Sequence, residues 1–322
     1  MSDLLALLMS VVPVLGVIAT GFAIRRLNWL SDDSDASLMR VVINLLTPCL
    51  IADSILGNPA FKRADNVLLP PLLGFVTTAG GIFVAWWLRG GLGRGAAKVS
   101  QRTFATSAGI CNYGYIPLPL AQVFFTSSTV GVLFVQNIGV ELAMWLVGLA
   151  MINGRPWREG WRYLANPPVL SIIGTLALNA WVPRASVPAP VMQWAHLLGQ
   201  CAIPLGLLVI GATVADLLPE LKDRTGWRVI GWACVVRLVL LPAGILALAW
   251  ALPASRQVRE VLLLHAAMPA AVFPIVMARH FGGDAGTALR VVLGTSLASV
   301  VTMPLWLKFG MRLLVLGDLV HQ

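Results

Sequence analysis

The chain has 322 residues, 58% of them hydrophobic and only 11% charged, and its net charge is +9. Soluble domains carry about 25% charged residues. A water-soluble enzyme, a disordered chain and a secreted disulfide scaffold are therefore excluded, and with a mean hydropathy of +0.82 a polytopic membrane protein remains. At roughly 20 apolar residues per span, the length holds about ten spans with short loops and no separate soluble domain.

The first apolar run is Leu4–Ile24. Asp3 precedes it and Arg25-Arg26 follow it, the reverse of a signal peptide. It reads as a span with its N-terminus outside. The same window places further spans near Ser37–Gly57, Val67–Leu88, Thr103–Phe125, Thr129–Ile152, Pro167–Val182, Pro190–Leu217, Trp227–Leu252, Glu260–Phe281 and Ala285–Gly310. The fourth and ninth contain several prolines and glycines and are not expected to be simple helices. Trp29, Trp86, Trp87, Trp157, Trp161 and Trp250 fall near span ends and read as interfacial anchors.

Cytoplasmic loops are enriched in Lys and Arg. With ten alternating spans, 14 Lys and Arg fall on the face of the first loop and 7 on the other. The first face is expected to be cytoplasmic, with both termini outside, in a bacterial inner membrane. The cations are spread through short loops, which gives no sign of nucleic-acid binding. Cys49, Cys111, Cys201 and Cys234 all lie in apolar runs without a CxxC pair. They read as small buried hydrophobes, so no metal or cofactor is expected.

The two halves share spacings. Asn44 stands four residues before Pro48, and Gln200 four before Pro204, at an offset of 156 residues. The fourth span carries Pro117 and Pro119 and the ninth carries Pro269 and Pro274, with Pro119 and Pro274 offset by 155. Five spans per half is odd, so the second half enters the membrane in the opposite sense. The expected organisation is residues 1–152 as a first five-helix repeat, 153–166 as a short cytoplasmic loop and 167–322 as the inverted repeat. Inverted repeats with broken helices point to a secondary transporter and its midplane site. Proline removes a helical N–H and clashes with the preceding turn. The freed groups must line protein or a wet cavity, and each half-helix turns a partial positive charge toward the break. The alternative is that these prolines merely kink helices, but two paired doublets at one offset favour the breaks.

Few ionisable residues remain inside spans. Glu141 sits mid-span near Gln136 and Asn137; such a residue is costly and marks a functional candidate. It could carry a proton, or make a structural hydrogen bond to the broken fourth span. Arg237 could attract an anion, pair with a carboxylate such as Glu141, or snorkel to the interface. Asp53 lies late in the second span, and His265 stands just before the ninth-span break as a packed rather than working histidine.

Several segments resemble the auxin efflux carrier family of membrane transport proteins, in a compact bacterial form. They are Asn44-Leu-Leu-Thr-Pro-Cys-Leu50, Asn112-Tyr-Gly-Tyr-Ile-Pro-Leu-Pro-Leu120, Pro204-Leu-Gly-Leu-Leu-Val-Ile-Gly211, Ala266-Ala-Met-Pro-Ala-Ala-Val272 and Gly294-Thr-Ser-Leu-Ala-Ser-Val-Val-Thr-Met-Pro304. The resemblance implies an all-α membrane protein of ten helices in two inverted five-helix repeats, with helices 4 and 9 broken and crossing. It implies a scaffold of spans 1, 2, 6 and 7, which could pair in a homodimer, and an elevator-like transport unit of spans 3–5 and 8–10. Family substrates include auxin and small carboxylates. The chain departs from the plant members in its short loop around Trp157 and in a third span without Asp or Lys.

Together these features read as a carrier of a small organic anion, an exporter or a proton-linked carrier, and not an enzyme. Asn112, Tyr113 and backbone near Pro117 and Pro119 are expected to bind substrate from one side, with residues near Pro269 and Pro274 closing the other. Glu141 and Arg237 are the expected charged participants. Asn44 and Gln200 are expected to satisfy scaffold backbone or touch substrate. A sodium-coupled carrier is the competing class, using Asn112, Glu141, Thr295 and Ser299. An intramembrane hydrolase would need a Ser–His pair or two intramembrane Asp residues, which the sequence does not offer.

Overall fold

The computed structural model describes residues 2–93, 95–154, 157–182, 186–219 and 226–316. Arg94, Arg155, Arg184, Lys222 and Arg224, which enter the charge asymmetry, lie outside these residues, as do the side chains of Asp3, Trp157 and Arg158. Among the described residues the regular structure is helical apart from one isolated antiparallel bridge. Among the described residues, six helices are long and apolar enough to cross a membrane: Ser34–Ile55, Asp65–Leu92, Ser127–Asn153, Ala189–Asp216, Trp227–Ala251 and Ala285–Leu313.

The first helix, α1 (Ser2–Arg26), ends on its two arginines, where cations suit the negative end of the helix dipole. Arg25 pairs with Asp35 and with Asp216, 3.2 Å away, and so ties the end of α1 to two other segments. The next apolar segment is α2 (Asp32–Val41), a wide π turn (Val42–Leu46) and α3 (Thr47–Ile55). The cause of the wide turn is Pro48. It has no N–H to give Asn44 O and its ring crowds that carbonyl, so the Thr47 N–H reaches five residues back to Val42 O instead. The pattern recurs between α11 (Trp227–Val235) and α12 (Leu241–Ala251). There the Leu241 N–H bonds Val236 O one residue before Pro242. A third π turn, Met144–Gly148, joins α7 (Ser127–Ala143) to α8 (Leu149–Asn153) and contains no proline.

Two segments are interrupted outright. The first is α5 (Lys98–Gly109) followed by α6 (Pro117–Phe124); the second is α13 (Arg256–Ala267) followed by α14 (Phe273–Phe281). The other long elements are α4 (Asp65–Trp87), α9 (Pro167–Trp181), α10 (Ala189–Leu217) and α15 (Ala285–Leu313). The ninth apolar segment thus starts earlier than its hydropathy suggests, because Arg256 and Arg259 belong to α13 rather than to a loop.

Small residues let the long helices approach closely. On α10, a Cβ at Gly211 would lie 2.0 Å from Ile18 O of α1. On α7, a Cβ at Gly139 would lie 1.8 Å from Pro71 O of α4. These two tight pairs, α1 with α10 and α4 with α7, frame the space in which the interrupted segments meet.

Candidate functional site

The two breaks meet each other. The Asn112 N–H donates to Pro269 O at 2.8 Å and the Ala271 N–H donates to Ile110 O at 3.0 Å, which makes an antiparallel bridge at Cys111 and Ala270. A third bond, from Ala270 N to Thr295 Oγ1 on α15 at 3.2 Å, holds the second break in place. Unpaired backbone groups are costly away from water. Here each interruption supplies the other with one donor and one acceptor. The prolines explain the local shape: Pro117 and Pro119 occupy the first turn of α6, and Pro274 that of α14, where a missing N–H costs nothing.

Asn112 and Ala271, which flank the bridge, line a cavity of about 710 Å³. Asn112, Tyr113, Gly114 and Tyr115 line it from the first break, and Ala271, Val272 and Phe273 from the second. Helices α6 and α14 both start beside it, turning their positive ends toward the breaks. Polar groups are few. Asn137 donates to Tyr113 O at 2.9 Å and so braces the first break from α7. Asn112 is 7% exposed, and its Oδ1 accepts from the Gly114 N–H at 3.4 Å.

Among the described residues, Glu141 is the one acidic side chain lining the cavity. Its Oε1 accepts from Tyr113 OH at 2.7 Å. Its Oε2 accepts from Trp145 Nε1 at 2.9 Å and from Asn166 Nδ2 at 3.3 Å. The carboxylate therefore joins the first break, the π turn of the fifth apolar segment and the cap of α9. This includes the structural bond to the broken fourth segment that the sequence left open.

Arg237 stands elsewhere. It is 1% exposed, and it donates through Nε to Met268 O at 3.0 Å and through Nη2 to His265 O at 2.8 Å. It caps the carbonyl end of α13 beside the second break, where the helix dipole favours a cation. It neither pairs with Glu141 nor snorkels outward. His265 is 1% exposed, and Gln136 donates to its Nδ1 at 2.9 Å.

The remaining candidates shape the region without lining the cavity. Pro117, Pro119, Pro269 and Pro274 set the breaks. Asn44 is exposed on the π turn before Pro48, and Gln200 is exposed on α10. Gln200 donates to His196 Nε2 at 2.7 Å, and His196 donates from Nδ1 to Asp53 at 2.8 Å. Asp53 is thus part of a polar chain between α3 and α10.

Sequence reasoning did not single out Trp145, Arg162, Tyr163 or Asn166, all of which line the cavity. Asn166-Pro167-Pro168 carries the signal of a helix start, an Asn cap followed by proline, and Asn166 Oδ1 does accept from the Val169 N–H. That signal locates α9 but says nothing of the cavity beside it.

A family model described as "Membrane transport protein" matches residues 6–307. A protein of Methanothermobacter thermautotrophicus named "Uncharacterized transporter" is 24% identical over 303 residues, covering 92% of this chain and 96% of that one. "Uncharacterized transporter YfdV" of Escherichia coli and its counterpart in Shigella flexneri are each 22% identical over 314 residues, covering 92% of this chain and 95% of theirs.

Proposed function

Because the chain belongs to the auxin efflux carrier family of membrane transport proteins, and is thus an integral membrane protein, we propose that it is a secondary carrier of a small organic anion. The observation that carries this reading is the pair of helix breaks bonded to each other in the wall of a 710 Å³ cavity. Such breaks are the hallmark of a transporter's binding site, and helix starts facing a cavity attract anions.

In this reading the ten apolar segments form two inverted five-helix halves, residues 1–152 and 167–322, joined by 153–166. Spans 1, 2, 6 and 7 are the scaffold, and spans 3–5 and 8–10 move together against it, elevator-fashion. The packing of α1 and α3 on α10, and of α4 on α5 and α7, supports that division. Asn112 and Tyr113 contact the substrate, Glu141 carries a coupled proton, and Arg237 and the four prolines hold the breaks. Both termini face outward from a bacterial inner membrane. Two copies pair through the scaffold, in keeping with the exposed Asn44, His196 and Gln200 on helices otherwise apolar.

Uptake of radiolabelled carboxylates into proteoliposomes tests the reading, with candidates chosen by thermal shift of the purified protein. Saturable uptake driven by a pH gradient and indifferent to sodium is expected. Asn112→Ala retains the backbone bridge but removes the side chain. A hydrogen bond to a charged group is worth about 1.5–3 kcal/mol, so uptake at low substrate should fall about tenfold or more at equal expression. Unchanged uptake in Asn112→Ala would remove this residue from the site.

A further inference from the structure

Among the described residues, two charged side chains line the cavity, Glu141 and Arg162. Glu141 is already held by three donors. The buried cation nearest the breaks, Arg237, is spent on two backbone carbonyls. Arg162 differs from both: it is exposed, faces the cavity, and makes no hydrogen bond or ion pair with the described residues. Among the described residues, an anion entering this space meets one uncommitted cation.

Arg162 belongs to the short 3-10 turn Trp157–Tyr163 that connects the two halves of the chain. That connector is fastened to the cavity wall. The Tyr163 ring stacks on Trp145 with centroids 4.4 Å apart and planes 13° from parallel. Both rings meet Phe281 edge-on, Tyr163 at 5.6 Å and Trp145 at 6.3 Å. Asn166 donates to Glu141 at 3.3 Å and to Tyr163 O at 3.2 Å. The connector backbone also lies hard against the π turn of the fifth segment, since a Cβ at Gly160 would come within 2.2 Å of Trp145 O. Arg162 is thus the next residue to a ring clamped in place, not the tip of a loose loop.

We propose that Arg162, presented by the connector between the halves, is the cation that engages the anionic group of the transported molecule. A guanidinium offers paired donors that match a carboxylate in two parallel bonds, and a partly desolvated site strengthens that attraction. The breaks, with their helix starts and Asn112, face the same cavity. Arg162 supplies the full positive charge that those partial charges lack. The connector becomes a binding element rather than a tether. This inference rests on the anion-carrier reading.

The test probes the cavity's preference for charge and requires no known substrate. In the full-length protein in detergent, Cys49, Cys111, Cys201 and Cys234 are replaced by Ser, and Val276→Cys, a partly exposed position lining the same cavity, serves as reporter. Its reaction rates are measured with three methanethiosulfonates: sulfonatoethyl (anionic), trimethylammonioethyl (cationic) and methyl (neutral). With Arg162 intact, the anionic reagent is expected to outpace the cationic one after each is scaled to its rate with a free thiol. Arg162→Gln should lower that ratio about fivefold, an effect of charge proximity. Arg162→Lys should preserve it, and the neutral reagent should be unaffected in both variants, which shows that the cavity keeps its shape. A ratio unmoved by Arg162→Gln, or no anionic preference with Arg162 in place, overturns the proposal. Either result leaves the carrier reading to be judged by uptake alone.

Discussion

Glu141 illustrates how a carboxylate is kept on an apolar helix: Tyr113, Trp145 and Asn166 each bring a donor to it from a different part of the chain. Its place in the sequence marked it as unusual, but none of the three partners could be read from spacing alone except Trp145, one helical turn further on. Arg237 makes the same point in reverse. Its place within an apolar run was legible, but the sequence left burial and snorkelling both open, and its acceptors are carbonyls 28 and 31 residues away, freed by the break after α13. A residue's partners depend on which helix lies beside it, and an isolated sequence does not state that. Outside the apolar segments, Asp284 caps α15. It accepts from the Thr287 N–H at 3.0 Å and from Thr287 Oγ1 at 2.7 Å, and Ser100 Oγ donates to it as well. Burial alone would raise its carboxyl, but the bonds from Ser100 and Thr287 and the charge of Arg290 outweigh that and hold it below the ordinary value of 3.8. A depressed acid stabilises the fold in its ionised form. Its contribution is full above the ordinary value and is lost as the pH falls through the lowered one. Asp284→Ala should cost about 1 kcal/mol, read as a lower thermal midpoint in detergent at neutral pH. The gap between variant and parent should close as the pH drops below about 3.8. A gap that is constant with pH would show that the ionised carboxylate is not what stabilises the helix start.

Among elements, the close helix pairs make the sharpest distinction between glycines of identical propensity. A Cβ at Gly139 would stand 1.8 Å from Pro71 O, whereas one at Gly80 on α4 meets nothing within 4 Å. Gly139→Ala therefore forces α7 away from α4, and overpacking of this kind costs about 3 kcal/mol. Gly80→Ala should be neutral or favour the helix by up to about 1 kcal/mol. Thermal unfolding of the two variants in one detergent checks the contrast; equal midpoints would mean that α4 and α7 do not pack as described. The sequence could not separate these glycines, because what distinguishes them is a neighbouring backbone 68 residues away, at Pro71. Proline is different in kind. Its effects are confined to its own turn, so the interruptions before Pro117 and between Pro269 and Pro274 were legible from the residues themselves. The π turns were not, although Pro48 and Pro242 cause two of them. A proline can be accommodated by a break, a kink or a widened turn, and the surrounding helices select among these. The connector is the converse case: the sequence marked residues 153–166 as a short loop, and only its fastening to Trp145 and Glu141 brings it into the cavity wall.

At the scale of the whole molecule, the outstanding question is what covers the polar side chains on the outer faces of two apolar helices. Asn44 is exposed on Ser34–Ile55, and Gln193, His196 and Gln200 are exposed on Ala189–Asp216. Part of this polarity is satisfied internally, through the chain from Gln200 to His196 to Asp53. The outward sides of Asn44 and Gln193 have no comparable arrangement in the hydrogen bonds described. Amide groups facing hydrocarbon lose their water without replacement, and helices in membranes use such groups to bind one another. A second copy of the chain, packed through the same face, would supply partners by symmetry, since a two-fold interface presents each patch to itself. The chain carries its own reporter for this arrangement. Cys201 is exposed one residue after Gln200, whereas Cys111 is buried and Cys49 and Cys234 are partly covered. In a variant retaining Cys201 alone, mild oxidation in native membranes should convert the 34.5 kDa chain into a covalent species of twice that mass. The reaction should be independent of dilution with added lipid, and Gln200→Leu or Asn44→Leu should slow it several-fold by removing interfacial hydrogen bonds. Retention of the monomer under conditions that oxidise an exposed thiol elsewhere on the surface would show that this face does not meet its copy. The polar chain of Asp53, His196 and Gln200 would then serve only to join α3 to α10.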